Sequence, residues 1–151
     1  MIPLMDDPRY QHGLRLLARR EHSRSELKTK LTRHYSFNGL DAVLDRLEAD
    51  DYLSDARFAT CFVRHRSSLG FGPLKIRHEC YQKGLNDAII DRELSTIDWL
   101  PIAKALGRKY CSRSKARHSE LQQALVRYLH QRGFSHAHTR DVVAYCAMDV
   151  F

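Results

Sequence analysis

The chain has little of what membrane, secreted and redox proteins depend on. None of its apolar runs approaches the roughly 18 residues of a membrane helix, and its start, MIPLMDDPRY, lacks the cationic and apolar segments of a secretory signal. The four cysteines, Cys61, Cys80, Cys111 and Cys146, form no C-x-x-C pair, so neither a zinc ribbon nor a redox motif is indicated. We expect buried, reduced thiols in a cytoplasmic protein that does not contact membranes.

Motifs of common enzyme classes are also missing. No G-x-S-x-G, H-E-x-x-H or G-K-S/T motif occurs. His136 and His138 lie two apart and would diverge on a helix, which disfavours a metal site. The stretch 70–72 (GFG) lacks the third glycine of a dinucleotide site, and Pro73 suits the first position of a helix. We therefore expect a structural turn there, no catalytic residues, no metal and no cofactor.

The pattern that is present is helical, without the alternation typical of strands. Ser23 followed by Glu26 resembles a capping box, and Asp55 and Ser135 are predicted caps of later helices. Pro101 fits the first turn of a helix that carries the apolar residues Ile102, Ala105 and Leu106. The sequence therefore predicts an all-α fold.

The same order of helices occurs three times along the chain, which indicates an internal repeat. Pairs of apolar residues four apart recur, as in Leu27 and Leu31, and each pair is followed by a turn and a further apolar stripe. We predict an N-terminal segment (1–9) and three-helix repeats at 10–52, 53–98 and 99–151. Such units bury part of their apolar surface against their neighbours. A single irregular helical bundle is the alternative interpretation.

Charge follows the predicted repeats. The net charge is +7, which favours anionic partners. Residues 10–33 carry seven basic and two acidic residues, whereas residues 37–55 carry one basic and six acidic. Residues 99–132 carry eight basic residues and one acidic residue, Glu120. If the repeats stack alike, the basic helices could form a stripe for a polyanion; alternatively, neighbouring helices neutralise one another.

Three stretches are similar to the RecX regulatory proteins of bacteria. They are LLARREHSRSELKTKL (16–31), YLSDARFATCFVRHRSSLGFGPLKIRHECYQKGL (52–85) and LVRYLHQRGFS (125–135). The resemblance implies tandem three-helix repeats in an elongated, curved arrangement. It implies a protein without catalytic activity that binds the RecA filament on single-stranded DNA and suppresses its ATPase, strand-exchange and coprotease activities. Some members of this family also contact DNA directly.

The residues expected to contact RecA or DNA are basic and fall into three groups, one in each predicted repeat. They are Arg19, Arg20, Arg24 and Lys28; Arg64, Arg66, Lys75 and Arg77; and Arg108, Lys109, Arg113, Lys115 and Arg117. We expect a monomer that docks electrostatically. A stand-alone DNA-binding module of the helix-turn-helix type is the alternative hypothesis, and an enzyme acting on nucleic acid is a third.

Overall fold

The structure, a computed structural model, describes residues 3–149, with the side chain of Asp149 excepted. Within that range every regular element is a helix, which confirms the all-α prediction. After a short 3-10 turn at Leu4–Asp6, the helices are α1 (Pro8–Arg19), α2 (Arg24–Thr32), α3 (Leu40–Ala49), α4 (Asp55–Ser68), α5 (Pro73–Gln82), α6 (Asp87–Ser95), α7 (Trp99–Arg113), α8 (His118–Arg132) and α9 (His136–Asp149). Residues 1, 2, 150 and 151, which the predicted terminal segments include, lie outside the described residues.

Side-chain caps begin several helices, and one of them differs from the prediction. Ser23 accepts a hydrogen bond from the Glu26 amide (3.1 Å), as expected for the capping box. At α4, however, the cap is Ser54, whose hydroxyl accepts from the Arg57 amide at 3.2 Å. The predicted cap, Asp55, instead accepts from the Arg24 amide at 2.7 Å and so satisfies a free N–H group at the start of α2. The aspartate thus serves a helix distant in sequence.

The contacts divide the described residues into two compact units. The first contains the residues up to Phe62 together with Cys80–Ile90. Its core lies among α1, α2 and α3, where Tyr10 is buried with seven aliphatic side chains. These side chains are Leu27, Leu31, Leu40, Val43, Leu44, Leu47 and Leu53. Burial of this apolar surface is the main stabilising contribution in the unit.

The second unit contains Val63–Glu79 and the residues from Asp91 onward. In this unit α7 and α9 approach closely at Gly107, where a Cβ atom would lie 2.5 Å from Cγ1 of Val142. The buried face of α7 is formed by Trp99, Ala103, Gly107 and Cys111. By contrast, Ile102 and Leu106 are only half-buried, and Ala105 is exposed. The prediction of four buried thiols was wrong for Cys61, which is exposed.

A glycine-containing turn packs on the start of a helix in each unit. In the second unit, the Gly72 amide donates to the Arg132 carbonyl (2.7 Å) and the Leu74 amide to the Gly133 carbonyl (3.0 Å). A Cβ at Gly72 would lie 2.5 Å from the Gly133 backbone. The stretch 70–72 is therefore a structural turn, as predicted, and Gly72 is required for close approach of two backbones.

The first unit contains the corresponding arrangement at the start of α2. The Ser23 hydroxyl donates to the Lys83 carbonyl at 2.7 Å. Gly84 has a positive φ of 76°, and a Cβ on it would lie 2.5 Å from Cβ of Ser25. In both units, therefore, a glycine lets the turn after one helix lie directly against the first residues of another.

Candidate binding surface

Two of the four members of the first basic group pair with carboxylates of the acidic helix α3. Arg24 lies 2.8 Å from a carboxylate oxygen of Asp45 and 3.1 Å from one of Glu48. Lys28 lies 2.9 Å from Asp41. These carboxylates raise the pKa of Arg24, although burial acts in the opposite direction. The interpretation that neighbouring helices neutralise one another describes this surface.

A second carboxylate in the first unit holds two further cations. Glu26 lies 2.6 Å from Arg20 and 3.6 Å from Lys83. Burial alone would raise the pKa of Glu26, but the Arg20 hydrogen bond and the Lys83 charge outweigh burial and lower it to about 2. Arg19, the remaining member of the first group, is exposed at the end of α1 and forms no ion pair with another described residue.

The second basic group contains both cations that are paired with carboxylates and a cation that is not. Arg66 makes two hydrogen bonds of 2.7 Å to the carboxylate of Glu79, and Arg77 lies 2.7 Å from Asp91. Lys75 places its ammonium group 4.8 Å from the centre of the Phe71 ring, a distance at which cation–π attraction is effective. Arg64 is exposed and forms no ion pair within residues 3–149. Of the four, Arg64 has the charge most available to a partner.

Most cations of the third basic group have no carboxylate partner among the described residues. It lies on the second half of α7 and in the loop that leads to α8. Four of its members are exposed and form no ion pair with any described residue; these are Lys109, Arg113, Lys115 and Arg117. The fifth, Arg108, places its guanidinium 5.5 Å from the centre of the Tyr145 ring. This segment therefore has the greatest concentration of available positive charge among the predicted groups.

The structure brings one residue of the second group together with the third group along α7. A recess of about 510 Å³ is lined by Arg64, Lys109 and the apolar residues Ile102, Ala105 and Leu106. A neighbouring recess of about 450 Å³ shares Lys109, Leu106 and Leu69 with it and adds five polar side chains. These are Tyr110, Arg113, Ser114, Tyr128 and Arg132. We call the two recesses together the α7 groove.

Sequence reasoning did not identify the side of this groove that α8 supplies. Tyr128 and Arg132 lie on α8 and meet α7 only through the tertiary fold. Tyr110 could have been placed beside Leu106, because residues four apart share a helix face. The residues Ile102, Ala105 and Leu106 did form one apolar stripe as predicted, but the stripe lines an open groove instead of the core.

Other kinds of site find no support in the described part of the chain. No group of three or more histidine, cysteine, aspartate or glutamate side chains there could hold a metal ion. Among the described helices, none has the length and apolar character needed to cross a bilayer. The available chemistry is thus positive charge combined with aromatic and aliphatic surface.

Two family models match the chain in tandem. The model described as the first three-helix domain of RecX matches residues 10–47, and the model of the second three-helix domain of RecX matches residues 54–94. Together they cover more than half of the chain. The tandem three-helix organisation inferred from the sequence is confirmed for these two segments.

Similar proteins carry the same name. The regulatory protein RecX of Pseudomonas entomophila is 42% identical over 80% of this chain and 79% of its own length. That of Halorhodospira halophila is 40% identical over 87% of this chain and 84% of its own length. The crystal structure of RecX from Lactobacillus salivarius has a similar fold, with a TM-score of 0.82 at 20% identity, and covers 93% of this chain and 95% of that one. The chain therefore belongs to the RecX family.

Proposed function

We propose that this protein binds the filament that RecA forms on single-stranded DNA and lowers its ATPase, strand-exchange and coprotease activities. The relatives are named regulatory proteins, which supports a role through binding and without catalysis. The observation that carries the proposal is the set of exposed basic side chains at 109–117, which no described carboxylate neutralises. Charge of this kind is attracted to the phosphate backbone and to acidic protein surfaces.

The proposal includes a monomer acting in the cytoplasm and three repeats with boundaries at 10–52, 53–98 and 99–151. The three basic groups contribute unequally in this view. Within the first group, Arg24 and Lys28 are already engaged with Asp41, Asp45 and Glu48, so the attraction of this group to a polyanion is reduced. The third repeat, with its unpaired cations, supplies most of the electrostatic attraction.

The test is the rate of DNA-dependent ATP hydrolysis by RecA as the protein is added. We expect the hydrolysis rate to fall to a plateau, and the concentration needed for half of the effect to rise with added salt because bound counterions are released on docking. An unchanged rate at saturating protein would overturn the proposal.

A matched pair of double variants tests whether the segment 109–117 supplies the charge. Lys115→Ala with Arg117→Ala removes two cations from the loop before α8, whereas Arg127→Ala with Arg140→Ala removes two exposed cations elsewhere in the same repeat. We expect the first pair to raise the half-effective concentration about ten-fold more than the second. Equal effects would mean that the half-effective concentration depends only on the net charge of the protein and not on the position of the cations. Sequence-selective binding to duplex DNA without RecA would instead favour a helix-turn-helix module.

A further inference from the structure

The α7 groove has a recess of the size that small ligands occupy. Its volume is about 450 Å³, within the range of roughly 300–1,000 Å³ that is typical of ligand sites. Tyr110 and Arg113 line it from α7, and Tyr128 and Arg132 line it from α8. Both walls are helices, so the lining side chains are held by a rigid scaffold.

The charge of this recess is positive, and one of its cations, Arg132, is held in place by neighbouring groups. Arg132 donates hydrogen bonds to the carbonyl oxygens of Leu69 (2.5 Å) and Gly70 (3.2 Å), and its guanidinium lies 4.2 Å from the Phe71 ring. Lys109 and Arg113 are exposed, one turn apart on α7, and form no ion pair with a described residue. No carboxylate lines either recess of the groove. An anion entering it meets three positive charges and no negative ones.

A recess in the first unit does not share this property. That recess is larger, about 600 Å³, and is lined by Glu21, Asp51 and Arg57. Its only lysine or arginine, Arg57, lies 3.0 Å from Glu21 and 2.8 Å from Asp51. The two carboxylates neutralise the cation, so a recess of similar size in this protein has no attraction for an anion.

The recess also offers an aromatic surface. The rings of Tyr110 and Tyr128 stack with their centres 4.5 Å apart and their planes inclined by 19°. Stacked aromatic side chains beside cations are a common platform for unpaired bases, which stack on them largely without regard to sequence. An acidic peptide would use the cations and leave this stack unused, so the tyrosine pair favours a nucleotide.

We propose that one nucleotide of a single-stranded nucleic acid occupies this recess, with its base against the Tyr110–Tyr128 pair and its phosphate on Lys109 and Arg113. The adjoining recess continues the path, since it shares Lys109 and adds Arg64, an exposed cation suited to the next phosphate. Duplex nucleic acid is excluded from this mode because its bases are stacked inside the helix. The inference rests on the proposed function in that it names the groove as the place where the protein meets the single strand.

The experiment measures the fluorescence anisotropy of a labelled oligothymidylate of about 15 nucleotides with the protein alone, without RecA. A duplex of the same length is measured in parallel. We expect the single strand to bind at least ten-fold more tightly than the duplex at the same salt concentration. Tyr110→Leu should weaken binding of the single strand roughly ten-fold, because it removes one base–aromatic contact, whereas Tyr110→Phe should retain tight binding.

Charge variants distinguish binding in the recess from nonspecific electrostatic attraction to the whole protein. We expect Lys109→Ala with Arg113→Ala to weaken binding of the oligonucleotide at least ten-fold more than the matched control, Arg127→Ala with Arg140→Ala. Thermal melting of each variant checks folding; if Tyr110→Leu does not fold, the charge pair and Tyr110→Phe still decide the matter. Equal weakening by the two charge pairs, duplex binding as tight as single-strand binding, or equal competition by a hexaglutamate peptide would overturn the inference.

The outcome is separable from that of the proposed function. Suppression of RecA hydrolysis with no oligonucleotide binding would refute the nucleotide recess and leave the regulatory role intact. Oligonucleotide binding that depends on Tyr110, without any effect on RecA hydrolysis, would support the recess and refute the regulatory role.

Discussion

The α1–α2 region and the α7–α8 region are both strongly basic in sequence, but they use their charge differently. Residues 10–33 have a net charge of +5 and residues 99–132 a net charge of +7. In the first region Arg24 and Lys28 lie against the carboxylates of α3. In the second region the run from Lys109 to Arg117 meets no carboxylate among the described residues.

The difference shows that the net charge of a segment does not report the charge available to a partner. The segment after α2 is acidic, with six acidic residues in 37–55, and its helix packs in the same core as α2. The segment after α8, residues 133–151, carries only two acidic residues. Ion pairing in the first region therefore stabilises the unit, whereas the unpaired cations of the other region are free to act in binding.

The largest expected change in stability comes from replacing one glycine in each region. Gly133 has a φ of 97°, and a Cβ on it would lie 2.6 Å from the Lys75 backbone nitrogen. Gly133→Ala should lower the free energy of unfolding by about 3 kcal/mol, from backbone strain together with overpacking. Gly39→Ala is the control, because Gly39 also has a positive φ but a Cβ there would meet only Arg9, at 3.5 Å. We expect a loss of about 1 kcal/mol, measured by denaturant unfolding; equal losses would contradict the role of close approach.

Acid should weaken the first region through Glu26. The pKa of this carboxyl is lowered to about 2 in the folded protein from an ordinary value of 4.5. A lowered pKa means that the ionised form stabilises the fold, so this contribution is complete above about pH 5 and is lost as the pH falls towards 2. After allowance for solvent screening we expect about 1–2 kcal/mol.

Denaturant unfolding of the wild type and Glu26→Gln at pH 6 and pH 3 measures this contribution. The wild type should be the more stable at pH 6, and the gap between the two proteins should narrow at pH 3, because the amide does not titrate. A gap that stays constant with pH would contradict the assignment to Glu26.

The smallest effects come from arginine replacements that distinguish the two regions directly. Arg24→Ala leaves Asp45 and Glu48 without their shared cation and should lower the free energy of unfolding by about 1 kcal/mol, as for an ion-pair network at the surface. Arg113→Ala removes an exposed side chain without an ion-pair partner among the described residues and should change it by less than about 0.5 kcal/mol. Thermal and denaturant melts measure both. A destabilising Arg113→Ala would place that arginine in the structural network instead of the binding surface.

Much of the fold was predictable because its signals are local. The spacing of Leu27 and Leu31, the Ser23 cap and the Gly72–Pro73 break all act within one or two helical turns. The cap of α4 was missed because Ser54 and Asp55 are both good caps, and the choice depends on the distant Arg24 amide.

The candidate site was predictable only in part. The absence of acid around Lys109 and Arg113 is visible in the sequence, since Glu120 is the one acidic residue in 99–132. The groove that these cations line is not visible, because it needs Tyr128 and Arg132 from α8 and Arg64 from α4. Local spacing cannot predict contacts between residues tens of positions apart.

The sequence by itself determined that the chain is helical, where its turns lie and which family it belongs to. Helix periodicity, capping and glycine turns are short-range properties. The order of the family motifs can likewise be read from the sequence without knowledge of the packing. Only the tertiary structure decided which cations are neutralised and which remain available, because ion pairing depends on distances between helices. It also decided that Gly72, within the turn at 70–72, must lie against Gly133, since a close approach of two backbones leaves no trace in the local pattern of either.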